Sequence, residues 1–329
     1  MPPLDTPLTR HAHITVPLIC GPMYPCSNPE LVAAVSRAGA LGIVQPMALT
    51  YVHGHDYRAG LQLIHRLADG RPFGLNALIE ASNRTYHERM VRWVEIALEE
   101  GVRFFLTSLG NPRWVVDRVH AAGGVVYHDI TERKWAVKGR DAGVDGLIAV
   151  NRDAGGHTGS RDARALLEEV ADLGLPVVAA GGVGQPAQGR ALLAMGYAGI
   201  QLGTRFIAAT ECTADEAYKQ AIVRATSAEV VLTERLTGVP VSVLRTPTVE
   251  RLGTTVGPLA KWMFRGRRTK RWIRTWYAMR ALQRLKRDSR RGSGADYWQA
   301  GRSVDAIHDI QPAGAIVAAF ASAFSEPPV

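Results

Sequence analysis

One imidazole, His157, stands among glycines in the run AGGHTG at Ala154–Gly159. An imidazole titrates near neutrality, so it can take or give a proton where most side chains cannot. Glycines at 155, 156 and 159 are poor strand and helix formers. They let a flat ligand lie close to the backbone. Two more glycine-rich turns, AAGGVGQP at Ala179–Pro186 and QLGTRF at Gln201–Phe206, follow short apolar runs. Successive N–H groups in such turns bind anions, and a helix start after each adds a favourable field. Together they predict a phosphate-bearing ligand beside a titrating imidazole. Further polar groups end other apolar runs: Gln45, Asn76, Ser108 and His128. A His inside a strand is commonly a satisfied core group, so His128 alone carries less than His157.

These residues need a frame that brings distant turns to one rim. Apolar runs alternate with helical patterns up to about residue 210. The strand readings are Val16–Cys20, Leu41–Val44, Phe73–Leu78, Arg103–Thr107, Val125–His128, Gly146–Val150, Pro176–Ala180 and Gly199–Leu202. Between them, Pro29–Ala38, Tyr57–Leu67, Tyr86–Glu99, Arg113–Ala121, Ala163–Leu173 and Gln185–Met195 show apolar residues at helical spacing. Ala214–Ala225 continues the series, and Ile307–Phe324 reads as a closing helix. Eight strand–helix units predict an α/β fold, the (β/α)8 TIM barrel, whose active sites sit at the C-terminal strand ends. Near-continuous apolar strands suit a parallel sheet covered on both faces. A doubly wound open sheet is the alternative, and the missing GxGxxG in the first turn counts against it. The barrel is assigned to residues 1–230, completed by a helix near 305–325, with 231–304 as a basic, mainly helical segment on the substrate side.

The 329 residues carry a net charge of +9, unevenly spread. Lys261–Arg291 holds thirteen basic residues against Asp288, a local +12, and the rest of the chain sums to −3. Trp272, Trp276 and Met279 share a helical face there, which would pack on the barrel or across a homodimer. An amphipathic membrane-surface segment has the same composition. Nucleic acid is disfavoured because no recognition motif accompanies the charge. No apolar stretch is long enough to span a bilayer, and no signal-peptide pattern opens the chain. Three cysteines, Cys20, Cys26 and Cys212, lack metal-ligand spacing and fit a reducing cytoplasm. No metal site is read.

The chain resembles the nitronate monooxygenase (2-nitropropane dioxygenase) family and its sister, the FMN-dependent enoyl-acyl-carrier-protein reductases II. The matching pieces are GPM at Gly21–Met23, PELVAAVSRAGALG at Pro29–Gly42, PFGLN at Pro72–Asn76, AGGHTG, PVVAAGG at Pro176–Gly182 and LGTRF at Leu202–Phe206. The resemblance implies FMN on the barrel. Gly21, Pro22, Met23, Gln45 and Asn76 would line the ring system, with Ser108 and His128 on the same rim. Gly155, Gly156, Ala180, Gly181, Gly182, Gln201, Leu202, Gly203 and Thr204 would complete the cofactor site, with Gly181, Gly182, Gly203 and Thr204 around the phosphate. His157 would be the catalytic group. The sequence departs from the family where Lys often follows the fifth-strand His: Asp129 follows His128 here.

The leading functional reading is oxidation of an alkyl nitronate with O2 to a carbonyl compound and nitrite. The alternative is NAD(P)H-linked reduction, or dehydrogenation, of an acyl-coenzyme A or acyl-carrier-protein thioester, with the basic segment meeting phosphates. Barrel aldolases and isomerases also use a two-turn phosphate site, but no strand ends in a Lys here.

Overall fold

The computed structural model describes residues 4–80, 83–235, 240–255 and 297–326. A short helix α1 (Pro7–Ala12) precedes strand β1 (Leu18–Cys20). Then come α2 (Pro29–Arg37), β2 (Leu41–Val44), α3 (Tyr57–Leu67), β3 (Gly74–Ile79), α4 (Arg84–Glu99) and β4 (Phe104–Leu109). The series continues with α5 (Arg113–Ala121), β5 (Val125–Ile130), α6 (Arg133–Asp141) and β6 (Gly146–Val150). After a two-residue strand β7 (Gly156–His157) follow α7 (Ala163–Val170), β8 (Val177–Ala180), α8 (Pro186–Ala194), β9 (Gly199–Leu202) and α9 (Thr204–Ile207). The remaining elements are α10 (Glu216–Arg224), β10 (Val230–Thr233), β11 (Val241–Leu244), α11 (Pro247–Leu252) and α12 (Ala313–Ser325).

Strands β1, β2, β3, β4, β5, β6, β8 and β9 close into a parallel barrel, and β9 pairs back to β1. The expected (β/α)8 fold is therefore present. Side-chain N-caps start several helices: Asp56, Asn83 and Asp162 accept from Ala59, Tyr86 and Ala165 backbone N–H groups. Apolar faces of these helices seal the outside of the barrel. Leu31, Leu61, Val94, Val115 and Leu166 are fully buried there, each contributing about 1.5–3 kcal/mol.

Inside the barrel the strand period of two sorts the residues. Ile19, Leu41, Ile43, Phe104, Leu106, Tyr127, Ile148 and Val178 fill the interior. Helix α1 plugs the N-terminal end, where His11 Nδ1 meets the Tyr127 hydroxyl at 3.1 Å. The Tyr127 ring lies across Gly146, where any Cβ would come within 2.4 Å of it. Continuing each inward series by two residues reaches the C-terminal rim. Gly21, Gln45, Asn76, Ser108, Asp129, Val150, Ala180 and Gln201 stand there.

The closing helix begins at Ala313, later than its expected start at Ile307, because Pro312 occupies the N-cap. It packs on α8 and α2 through Ile316, Phe320 and Phe324. A second sheet, ordered β10–β11–β7, sits over the rim and is antiparallel. Residues 230–233 and 241–244 are thus strands within a stretch expected to be mainly helical from 231 onward. The basic run Lys261–Arg291, with Trp272, Trp276 and Met279, lies outside the described residues.

Candidate active site

The rim encloses a cavity of about 470 Å³. Fifteen of the sixteen expected cofactor residues line it, from Gly21 to Thr204, together with His157. His128 does not. In β5 the inward set is Val125, Tyr127 and Asp129, so His128 points out of the barrel towards α6. Its Nδ1 lies 2.8 Å from the Thr107 hydroxyl. Burial, then the Lys138 charge, lower its pKa to about 4. His128 is a neutral structural group, and Asp129 takes its expected place on the rim. One step of register along a strand exchanges the two faces, and the sequence reading was one step off only in this strand.

The glycine cradle is built by close approach. Gly181 has φ +113°, and a Cβ there would fall 2.5 Å from Asn151 Oδ1 and 2.6 Å from Ala154 N. Gly182 follows with φ +79°. Asn151 is buried and ties the two loops together. Its Nδ2 donates to Gly181 O at 3.1 Å, and its Oδ1 accepts from Asp153 N at 2.9 Å. On the next turn, Thr204 Oγ1 accepts from Gly301 N at 3.0 Å, which fixes the hydroxyl and draws the C-terminal part of the chain over the site. Ser303 and Gln299 line the cavity from that part, and Tyr218 from α10.

His157 is held by strand pairing rather than by a free loop. Val241 pairs with it in antiparallel register and Ser242 with Gly156. Surrounding protein lowers its pKa from the ordinary value. That shift favours the neutral imidazole over the cation.

Three buried polar atoms of cavity-lining residues have no partner within the described protein: Asn76 Oδ1, Asp129 Oδ1 and Gln201 Oε1. Buried polar atoms left unpaired are costly, and such groups in a cavity are completed by a ligand or water. Gln45 is different. Its Oε1 accepts from Met47 N at 2.7 Å and Ala48 N at 3.3 Å, leaving its NH2 for the cavity. Acceptors and a donor around the rim, with N–H-rich glycine turns after β8 and β9, suit a flat heterocycle bearing a phosphate. FMN has that constitution, so the residues present fit it.

Charge is distributed unusually. Among the described residues no Lys or Arg lines the cavity; its ionisable side chains are Tyr24, Cys26, Asp129, Asp153, His157 and Tyr218. Asp153 lies 3.9 Å from Arg302. Burial raises the Asp129 pKa to about 7. Asp129, Asn151, Tyr218, Gln299 and Ser303 were not singled out as site residues from sequence. An alternation count from Tyr127 would have found Asp129. The others arrive through contacts between distant segments, for which the sequence holds no local signal. Among the described residues no His, Cys, Asp and Glu cluster could hold a metal ion. No described helix is long and apolar enough to cross a membrane.

The family model for nitronate monooxygenase matches residues 5–321. A (3aS,4S,5R,7aS)-5-hydroxy-7a-methyl-1-oxo-octahydro-1H-indene-4-carboxyl-CoA dehydrogenase of Mycobacterium tuberculosis is 33% identical, covering 76% of this chain and 68% of the relative. A nitronate monooxygenase of Pseudomonas aeruginosa is 30% identical, covering 70% of this chain and 77% of its own. Among solved structures, FabK from Thermotoga maritima superposes with a TM-score of 0.78 at 27% identity, covering 98% of this chain and 96% of that one. A nitroalkane oxidase from Streptomyces ansochromogenes gives 0.75 at 25% identity, covering 97% and 98%.

Proposed function

The chain belongs to the nitronate monooxygenase family, and on that premise we propose that it is an FMN-dependent oxidoreductase of an acyl thioester whose reacting end is uncharged. The observation that carries this reading is the charge of the cavity wall: two carboxyl groups and, among the described residues, no Lys or Arg. A nitronate is an anion, and among the described residues the cavity lining offers it no Lys or Arg as counter-charge, the nearby Arg302 being paired with Asp153. A thioester brings no charge to its reacting carbons. The phosphates of a coenzyme A would find their counter-charge in the +12 run of Lys261–Arg291. The identity to a carboxyl-CoA dehydrogenase supports the same substrate class.

Gly181, Gly182, Gly203 and Thr204 would hold the FMN phosphate, and Gln45, Asn76 and Gln201 the polar edge of its rings. Bound FMN supplies the two-electron carrier, which the side chains of this protein cannot. The chain contributes position and a proton. Neutral His157 accepts the proton from the carbon next to the thioester carbonyl in dehydrogenation. In the opposite direction, with NAD(P)H as the reductant, the same nitrogen returns it. The antiparallel pairing with Val241 fixes the backbone at His157, which lines the cavity.

Oxidation of a nitronate is the second reading, favoured by the extent of the family match. Mixing the purified protein with acyl-coenzyme A substrates and an electron acceptor, and weighing the products by mass spectrometry, separates the two. Loss of two hydrogens from a thioester is expected. Rapid nitrite release from a nitronate, with every thioester inert, would reverse the order.

A further inference from the structure

Asp129 is the one carboxyl on the inward face of β5, and its Oδ1 is buried without a partner. The strands on either side contribute no charge to it. Ser108 of β4, Val150 of β6 and Asn76 of β3 stand at the same rim. The titratable groups sharing the cavity are His157 and Asp153 after β6, Tyr24 and Cys26 after β1, and Tyr218 on α10. Behind β5 lie α5 and α6. There Arg118 pairs with Glu95, His120 with Asp145 and Arg133 with Asp172. Lys138 acts on His128, on the opposite face of the strand. Burial alone therefore sets the proton affinity of Asp129 and raises it.

We propose that Asp129, whose buried Oδ1 lacks a partner and whose side chain lines the cavity, is a specificity-determining charge gate: as the neutral acid it donates an O–H hydrogen bond to an uncharged ligand, and on ionising it repels anions from the cavity. An ammonium at this position would attract the anion that a carboxylate turns away, so one residue decides which class of ligand the site admits. The neutral acid completes its own unpaired oxygen through the ligand, whereas the ionised form leaves a charge in a wall that, among the described residues, holds no Lys or Arg. The gate deepens the thioester reading and rests on it for substrate class, but its protonation is a property of the protein itself.

The test uses the full chain as purified. Infrared difference spectra across a pH titration read the carboxylic-acid C=O band, with Asp129→Asn as the reference. A band that disappears with a midpoint near pH 7, and is missing in Asp129→Asn, is the expected result. Nitrate serves as the anion probe. At pH 8.5 it should bind Asp129→Asn about tenfold more tightly than the wild type, the repulsion expected of charges several ångströms apart at intermediate dielectric. At pH 5.5 the two should bind it alike. Absence of the band at pH 6, or the same nitrate profile in both proteins, overturns the proposal. Should Asp129→Asn not fold, Asp129→Ser and carbon-13-labelled aspartate in the wild type give the same band assignment. The band is read with or without FMN, so a protein that binds no flavin refutes the cofactor reading and leaves this test standing.

Discussion

Replacing Gly181 by Ala should cripple the cofactor cradle while leaving the barrel folded. The residue has φ +113°, a conformation in which an L side chain is strained by about 1–3 kcal/mol. The new Cβ would lie 2.5 Å from Asn151 Oδ1, 2.6 Å from Ala154 N and 2.8 Å from Ala154 Cα. Two of these atoms belong to backbone and the third to a buried amide bonded to Gly181 O and Asp153 N. None is the free end of a flexible chain. Overpacking of this kind costs about 1–3 kcal/mol more. The loop after β8 must therefore shift, and with it the N–H groups of Gly181 and Gly182. A displaced anion cradle that loses about 3 kcal/mol of binding weakens FMN by roughly a hundredfold. Fluorescence titration of FMN into the apo protein measures this, with circular dichroism to confirm the fold. FMN affinity within about twofold of wild type would refute the cradle.

His157→Ala should keep FMN and lose about 10²–10⁴ in turnover, the usual share of a general acid or base; full turnover with FMN bound would remove His157 from catalysis. His128→Gln should lower thermal stability with little effect on FMN affinity, since His128 is buried behind the strand; selective loss of FMN would restore it to the rim. Stability should also depend on pH through Asp129. Between its ordinary value of 3.8 and about 7 the unfolded chain has released this proton and the native protein still holds it. Stability from this group is present below pH 4 and falls as pH rises, at up to about 1.4 kcal/mol per unit. His128 works in the opposite sense between about 4 and 6.5, where the unfolded chain binds the extra proton. Denaturant melts of wild type and Asp129→Asn at matched pH isolate the first slope. Parallel pH profiles would show that Asp129 ionises normally.

Much of this site could be read from one sequence because a barrel converts local patterns into a shared rim. Most apolar strands lead into a polar or glycine residue at the next inward position, and closure gathers those ends. Gly21, Gln45, Asn76, Ser108 and Gln201 follow from that rule. The fifth strand misled because both His128 and Asp129 are polar, and only the inward setting of Tyr127 decides between them. His157 was legible as a residue but not in its setting. Its partner Val241 is far along the chain, and a two-residue strand leaves no periodicity to detect. Asn151 was hidden for a similar reason: its bonds run to Gly181 and Asp153, a junction formed only when β6 and β8 lie side by side.

The most direct test of the proposed chemistry is anaerobic stopped-flow reduction of the FMN-loaded protein, followed at the flavin absorbance. A nitronate, an acyl-coenzyme A and NAD(P)H would be mixed with it separately. The account predicts reduction by the thioester, or by NAD(P)H with reoxidation by an unsaturated thioester, and slow or absent reduction by the nitronate. Fast reduction by the nitronate alone, with nitrite released once O2 is admitted, would contradict it.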